Sequence, residues 1–193
     1  MEMIKDRIKE SIDVKTKILN DLGLINQIEE ASLAVIKCLS EGGKVLLCGN
    51  GGSASDAMHI AGELVGRFQQ ERSSLPAIAL NGDVTSMTSI ANDYGYESVF
   101  ERLVEGFISP GDILIGISTS GNSENVYRAI SKAKEMGETT IALLGRGGGK
   151  IKDVAGIPII VPCDNTARVQ ESHILIGHII CELAEASYVN GWK

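Results

Sequence analysis

A chain of 193 residues that is 44% hydrophobic can bury one substantial core and is short for two, so a single domain over 1–193 is expected. Its net charge of −7 comes with 18 Lys and Arg scattered along the sequence and no basic block, which argues against a nucleic-acid partner. Cys38, Cys48, Cys163 and Cys181 lie in or beside apolar segments and make no CxxC pair, so reduced core thiols fit better than a disulfide framework or a thiolate metal site. The opening MEMIKDRIKESID alternates charges, and no uncharged apolar run reaches membrane-spanning length; a soluble, cytoplasmic chain without a membrane partner is expected.

Apolar residues recur at Ile4, Ile8, Ile12, Ile18, Leu19 and Leu22 among charges, the pattern of an amphipathic helix. A second helix over 27–40 follows, with Gly23 expected to separate the two and Gly42-Gly43 to end the second. The helices of 1–41 can bury their stripes on their own domain or in a bundle between subunits. Two in immediate succession favour the bundle.

The apolar run 44–48 reads as a buried strand that opens an α/β core over 43–193. It leads into GNGGSASDAMHIAGE, residues 49–63, a glycine-rich turn followed by helical spacing of Ala57, Met58, Ala61, Leu64 and Val65. Glycines 49, 51 and 52 allow a sharp turn and close approach to a ligand. Ser53, Ser55 and Asp56 offer capping oxygens at the helix start, an end that attracts anions. His59 and Glu63 stand four residues apart on one helix face; they are either an exposed ion pair or a base or metal pair.

A short strand over 76–80 and a helix over 84–92 come next. Asn92 and Asp93 then either face a cleft or simply end the helix before Gly95. Residues 97–107 read as a further helix, and the apolar strand 113–117 runs straight into STSGNS, 118–123, ahead of a helix over 124–136. Capping needs one hydroxyl. Ser118, Thr119, Ser120 and Ser123 supply four at a helix N-terminus, which suits a phosphate monoester. Runs at 139–144 and 157–161 complete five candidate strands, expected to form a parallel sheet flanked by helices on both faces. GRGGGK, 145–150, lacks the order of a nucleotide P-loop because Ile151 follows the lysine, and is read as a flexible loop. GNGGSA, 49–54, matches a dinucleotide fingerprint only formally, since no acidic residue ends the second strand before Asp83; no nucleotide cofactor is expected.

The last segment, TARVQESHILIGH at 166–178 continuing to about 189, is a long apolar helix with two histidines. Gln170 and His178 are eight residues apart, roughly 12 Å along an ideal axis and about 80° around it, so they could meet at one ligand only by reaching toward each other. His173 has no partner at comparable spacing and is read as structural. His178 is either a satisfied core residue or a titrating or ligating one.

Taken in this order, GNGGSASDAMH, Asn92-Asp93, STSGNS and TARVQESHILIGH resemble the phosphoheptose isomerase family of the sugar isomerase (SIS) superfamily, over nearly the whole chain. STSGNS alone marks only a sugar-phosphate-binding SIS domain; its conjunction with His59, Glu63, Gln170 and His178 is more specific. The resemblance implies a flavodoxin-like or Rossmann-like three-layer sandwich with extra N-terminal helices, in a homotetramer with active sites at subunit interfaces. It implies conversion of sedoheptulose 7-phosphate to D-glycero-D-manno-heptose 7-phosphate through an enediol, the entry to nucleotide-activated heptose and to the heptose of lipopolysaccharide. Glu63 would be the base and His178 the acid. Ser118, Thr119, Ser120 and Ser123 would hold the phosphate, and Asn50, Gly51, Gly52, Ser53, Asn92, Asp93 and Gln170 would line the sugar. Some members carry zinc through residues matching His59, Glu63, Gln170 and His178, so one zinc per subunit is implied. Ala167 stands where some members have an aspartate, and any role of that carboxylate is absent here. The same scaffold could serve as a non-catalytic tetramer that associates with the replication initiator, or as a regulatory SIS protein that binds a sugar phosphate without turnover. The four residues His59, Glu63, Gln170 and His178 together favour the isomerase.

Overall fold

The computed structural model describes residues 1–192. Five strands form one parallel sheet: β1 (Val45–Gly49), β2 (Ala77–Ala79), β3 (Ile113–Ser118), β4 (Thr139–Leu144) and β5 (Ile157–Ile160), in the order β2-β1-β3-β4-β5. β1 runs in register beside β3, with Val45 opposite Ile113 and Gly49 opposite Ile117. Successive side chains of a strand point to opposite faces, and both faces here are buried. Val45, Leu47, Ile113, Ile115, Ile141 and Leu143 meet one helical layer, while Leu46, Cys48, Leu114, Ala142 and Leu144 meet the other.

The first layer holds α1 (Glu2–Asn20), α2 (Leu22–Ser40), α3 (Gly52–Val65) and α7 (Thr166–Val189); the second holds α4 (Val84–Tyr94), α5 (Val99–Phe107) and α6 (Glu124–Glu135). The three-layer sandwich expected from the five apolar runs is therefore observed. Its strand order is the one in which ligands bind where connections diverge, here between the C-terminal ends of β1 and β3.

Three local expectations are corrected. The break between the first two helices falls at Asp21 and not at Gly23. Asp21 is extended (φ −97°, ψ 95°) and its carboxylate accepts from Leu24 N–H at 3.1 Å, so it ends α1 and caps α2. Gly23 lies inside the first turn of α2. Residues 145–150 form no open loop: Arg146–Gly148 is a 3-10 turn packed against the loop after β3. The side chains of Ser53, Ser55 and Asp56 make no capping hydrogen bond, because α3 starts at Gly52 and its N-cap is Gly51, at φ 56°.

α2 buries Leu24, Ile28, Ala31, Val35, Cys38 and Leu39 on its own domain. α1 buries only Val14 and Ile18, and leaves Ile4, Ile8, Ile12 and Leu19 exposed. No helix among the described residues is long and apolar enough to cross a membrane.

Candidate active site

The loops after β1 and β3 sit side by side at the divergence point and are tied by side chains. Asn50 Nδ2 donates to Asn125 Oδ1 at 2.8 Å, Asn125 Nδ2 donates back to Asn50 Oδ1 at 2.9 Å, and the Tyr96 hydroxyl donates to the same Asn50 oxygen at 2.8 Å. Asn81 fixes the end of β1, accepting from Gly49 N–H and donating to Gly49 O at 2.8 Å. At Gly52 a side chain would collide with the Gln170 amide. The absence of a Cβ there is what lets α7 lay Gln170 over the turn.

In the loop after β3, Ser118 is buried and its Oγ lies 3.0 Å from Ser123 Oγ. Ser123 occupies the N-cap position of α6 without making a side-chain cap hydrogen bond. The hydroxyls of 118–123 are thus grouped at a helix start that none of them closes, an arrangement suited to an anion. The acidic residue in this first turn, Glu124, is engaged by Lys150 and by Arg128 at 2.9 Å, contacts that hold its carboxyl below the usual range. Residues 145–151 brace the loop: Ile151 N–H donates to Gly121 O at 3.0 Å, and Lys150 N–H to Asn122 Oδ1 at 3.2 Å.

Two turns along α3 from Gly52, His59 Nε2 lies 3.0 Å from Glu63 Oε1. Taken alone the pair would be a half-exposed ion pair, with side chains 50% and 24% accessible. It is not alone. His178 comes from α7 to place its Nε2 3.5 Å from His59 Nε2, and one ligand atom from each of His59, Glu63 and His178 falls within 4.8 Å of the others. A glycine makes this possible: a Cβ at Gly177 would stand 2.5 Å from Ile60 Cδ1, so α7 can approach α3 this closely only without a side chain there. Phe68, beyond the end of α3, stacks on the His178 ring at 5.2 Å between centroids.

The structure therefore unites three of the four sequence candidates at this point. Gln170 lies with Gly52, seven residues and about 10 Å along α3 from His59. Asn92 and Asp93 are exposed in the last turn of α4 and bond to each other at 2.9 Å. His173 is structural: wholly buried, its Nε2–H donates to Leu144 O at 3.0 Å, and burial lowers its pKa to about 4 against the opposing effect of that bond.

Sequence reasoning missed Asn81, Tyr96, Asn125 and Phe68. Asn125 carried a faint signal, as a second amide two residues beyond STSGNS. The other three become visible only when distant segments meet.

The donor set fits a zinc ion in type, with two imidazole nitrogens and a carboxylate oxygen. Two of its three donor pairs also fit in spacing: zinc–ligand bonds of about 2.0–2.1 Å in a tetrahedron place donors about 3.3 Å apart, against 3.0 Å and 3.5 Å here, while the whole set lies within 4.8 Å.

The sequence pattern of the SIS domain matches residues 10–145. A phosphoheptose isomerase from Clostridium acetobutylicum is 54% identical over 182 residues, covering 94% of this chain and 93% of that protein. The chain belongs to the phosphoheptose isomerase family. Solved phosphoheptose isomerases superpose throughout: that of Neisseria gonorrhoeae with a TM-score of 0.89 at 40% identity, covering 96% of this chain and 98% of that one, and that of Francisella tularensis with 0.91 at 39%, covering 96% and 97%. Membership of the phosphoheptose isomerases does not favour the initiator-associated reading of the scaffold.

Proposed function

We infer that the chain isomerises sedoheptulose 7-phosphate to D-glycero-D-manno-heptose 7-phosphate, with Glu63 and His178 as its acid–base pair. The observation that carries this assignment is the arrival of His178 from α7 beside the His59–Glu63 pair of α3. The Glu63 carboxylate takes a proton from C1 while the His178 imidazolium gives one to the C2 carbonyl oxygen, which leaves an enediol. His178 then recovers a proton from the C1 hydroxyl as the Glu63 carboxylic acid, its proton exchanged with solvent at a side chain that is 24% accessible, delivers a proton to C2, and both residues regain their starting states. Ser118, Thr119, Ser120 and Ser123 hold the C7 phosphate. Asn50, Gly51, Gly52, Ser53, Asn92, Asp93 and Gln170 line the sugar.

A zinc ion would be held by His59, Glu63 and His178, with Gln170 as a fourth donor supplied across a subunit interface, and would polarise the sugar's oxygens; the proton transfers above are those of the metal-free site, where the His178 ring is free to carry a proton. The active form is a homotetramer: the exposed Ile4, Ile8, Ile12 and Leu19 of α1 form an apolar stripe that a second copy covers, and the half-exposed triad gains its remaining walls from a neighbouring subunit. The product enters nucleotide-activated heptose synthesis in the cytoplasm.

Glu63→Gln tests the assignment. Turnover of sedoheptulose 7-phosphate should stop while the variant still binds it, because the amide cannot take the C1 proton but leaves 118–123 intact. Persistent turnover would show that Glu63 is not the base.

A further inference from the structure

α7 carries a buried carboxylate that the reaction does not use. Glu185 lies seven residues beyond His178, nearly two full turns and so on the same helix face, and its side chain is 1% accessible. It accepts three consecutive backbone N–H groups, from Phe68 at 2.9 Å, Gln69 at 2.7 Å and Gln70 at 2.9 Å, together with Arg72 Nε at 3.0 Å. Burial acts to raise its pKa; the three N–H groups and the Arg72 charge outweigh that and hold it below the usual range.

Arg72, equally buried, turns its remaining donors to the end of α3, with Nη1 also reaching Ser73 O at 3.0 Å. Nη2 donates to Glu63 O at 2.8 Å, and Nη1 to Leu64 O at 2.9 Å and Gly66 O at 3.3 Å. These are carbonyls that a helix leaves unsatisfied at its C-terminus. One ion pair thus closes the helix turn that carries Glu63 and fixes the segment that presents Phe68 to the His178 ring.

We propose that Arg72, Glu185 and Phe68 are positioning residues of the acid–base site, holding the His178 ring and the last turn of α3 at the separation where His59, Glu63 and His178 meet. A buried ion pair is weak evidence for stability alone, because desolvation offsets its attraction. This pair touches, within one bonded step, the backbone of the base and the ring against the acid. The inference rests on the assignment of Glu63 and His178 above, and its test separates the two.

Phe68→Leu leaves the ion pair and its hydrogen bonds in place and removes only the ring. In the purified full chain it should lower kcat for sedoheptulose 7-phosphate about ten- to a hundredfold, the usual effect of losing an outer-shell support, while KM stays within about twofold. Phe68→Tyr, which keeps the ring, should restore kcat. Glu185→Gln should show the same kcat loss per folded molecule with a lower melting temperature. A purely structural role predicts lower melting temperatures with kcat per folded molecule unchanged. Wild-type kcat in Phe68→Leu, beside an inactive Glu63→Gln, would overturn the positioning role alone; an active Glu63→Gln would overturn the assignment beneath it.

Discussion

Gly177→Ala separates the energetics of the fold from the geometry of the site. The added methyl would lie 2.5 Å from Ile60 Cδ1 and 2.7 Å from Cγ1, and Ile60 is itself 1% accessible and cannot swing aside. Overpacking of this kind costs about 1–3 kcal/mol, and Ala regains about 0.8–1.0 kcal/mol over Gly in a helix interior. The net loss is about 0–2 kcal/mol, a fall in melting temperature of no more than about 8 °C for a chain of this size. Activity should suffer far more. Relieving the clash to an ordinary carbon contact of about 3.5–4.0 Å moves α7 from α3 by about 1 Å, which opens the 3.5 Å His59–His178 contact and can cost about a hundredfold in turnover. The assays are thermal unfolding by circular dichroism and kcat for sedoheptulose 7-phosphate. Adding Ile60→Ala removes both clashing carbons and should recover turnover at a further cost in stability. A Gly177→Ala variant with kcat within about twofold of wild type would refute the claim that this close helix approach sets the site.

Two further perturbations probe the loop after β3 and the core. Gly121→Ala should raise KM and lower stability by at least about 2 kcal/mol, since Gly121 is at φ 65° and its Cβ would strike the Gly148 carbonyl; unchanged KM would detach this loop from phosphate binding. His173 is buried neutral with its pKa lowered to about 4 from an ordinary 6.5, so the unfolded chain takes up a proton that the native chain refuses. Its contribution is complete above about pH 6.5 and is lost as pH falls toward 4, a change of about 3 kcal/mol. Denaturant titrations from pH 7 to 4 should show that loss, and His173→Gln should flatten it; the same slope in wild type and variant would contradict it.

The sheet was legible because its central strands β1, β3 and β4 bury both faces and so read as unbroken apolar runs; 139–144 falls on β4 residue for residue. The glycine turn and the hydroxyl loop were legible because their chemistry is local. The meeting of His178 with His59 was not. Helical spacing pairs His59 with Glu63 but says nothing about which residue of α7 arrives there, and that is decided by the fit of Gly177 on Ile60. Residues 145–150 were misread for the same reason: glycines that look flexible in sequence are there because two backbones approach each other at Gly121 and Gly148. Glu185 and Arg72 gave no signal at all, since a charge in an apolar helix shows its purpose only when the backbone it binds comes from more than a hundred residues away.

The most direct test of the account is to incubate the purified chain with sedoheptulose 7-phosphate in deuterated water, with and without chelator, and follow the product by NMR. The account predicts an aldose heptose 7-phosphate carrying solvent deuterium at C2, with the signal lost in Glu63→Gln and with the chelator arm reporting whether zinc supports turnover. A folded wild-type chain that forms no such product, with or without added zinc, would contradict it.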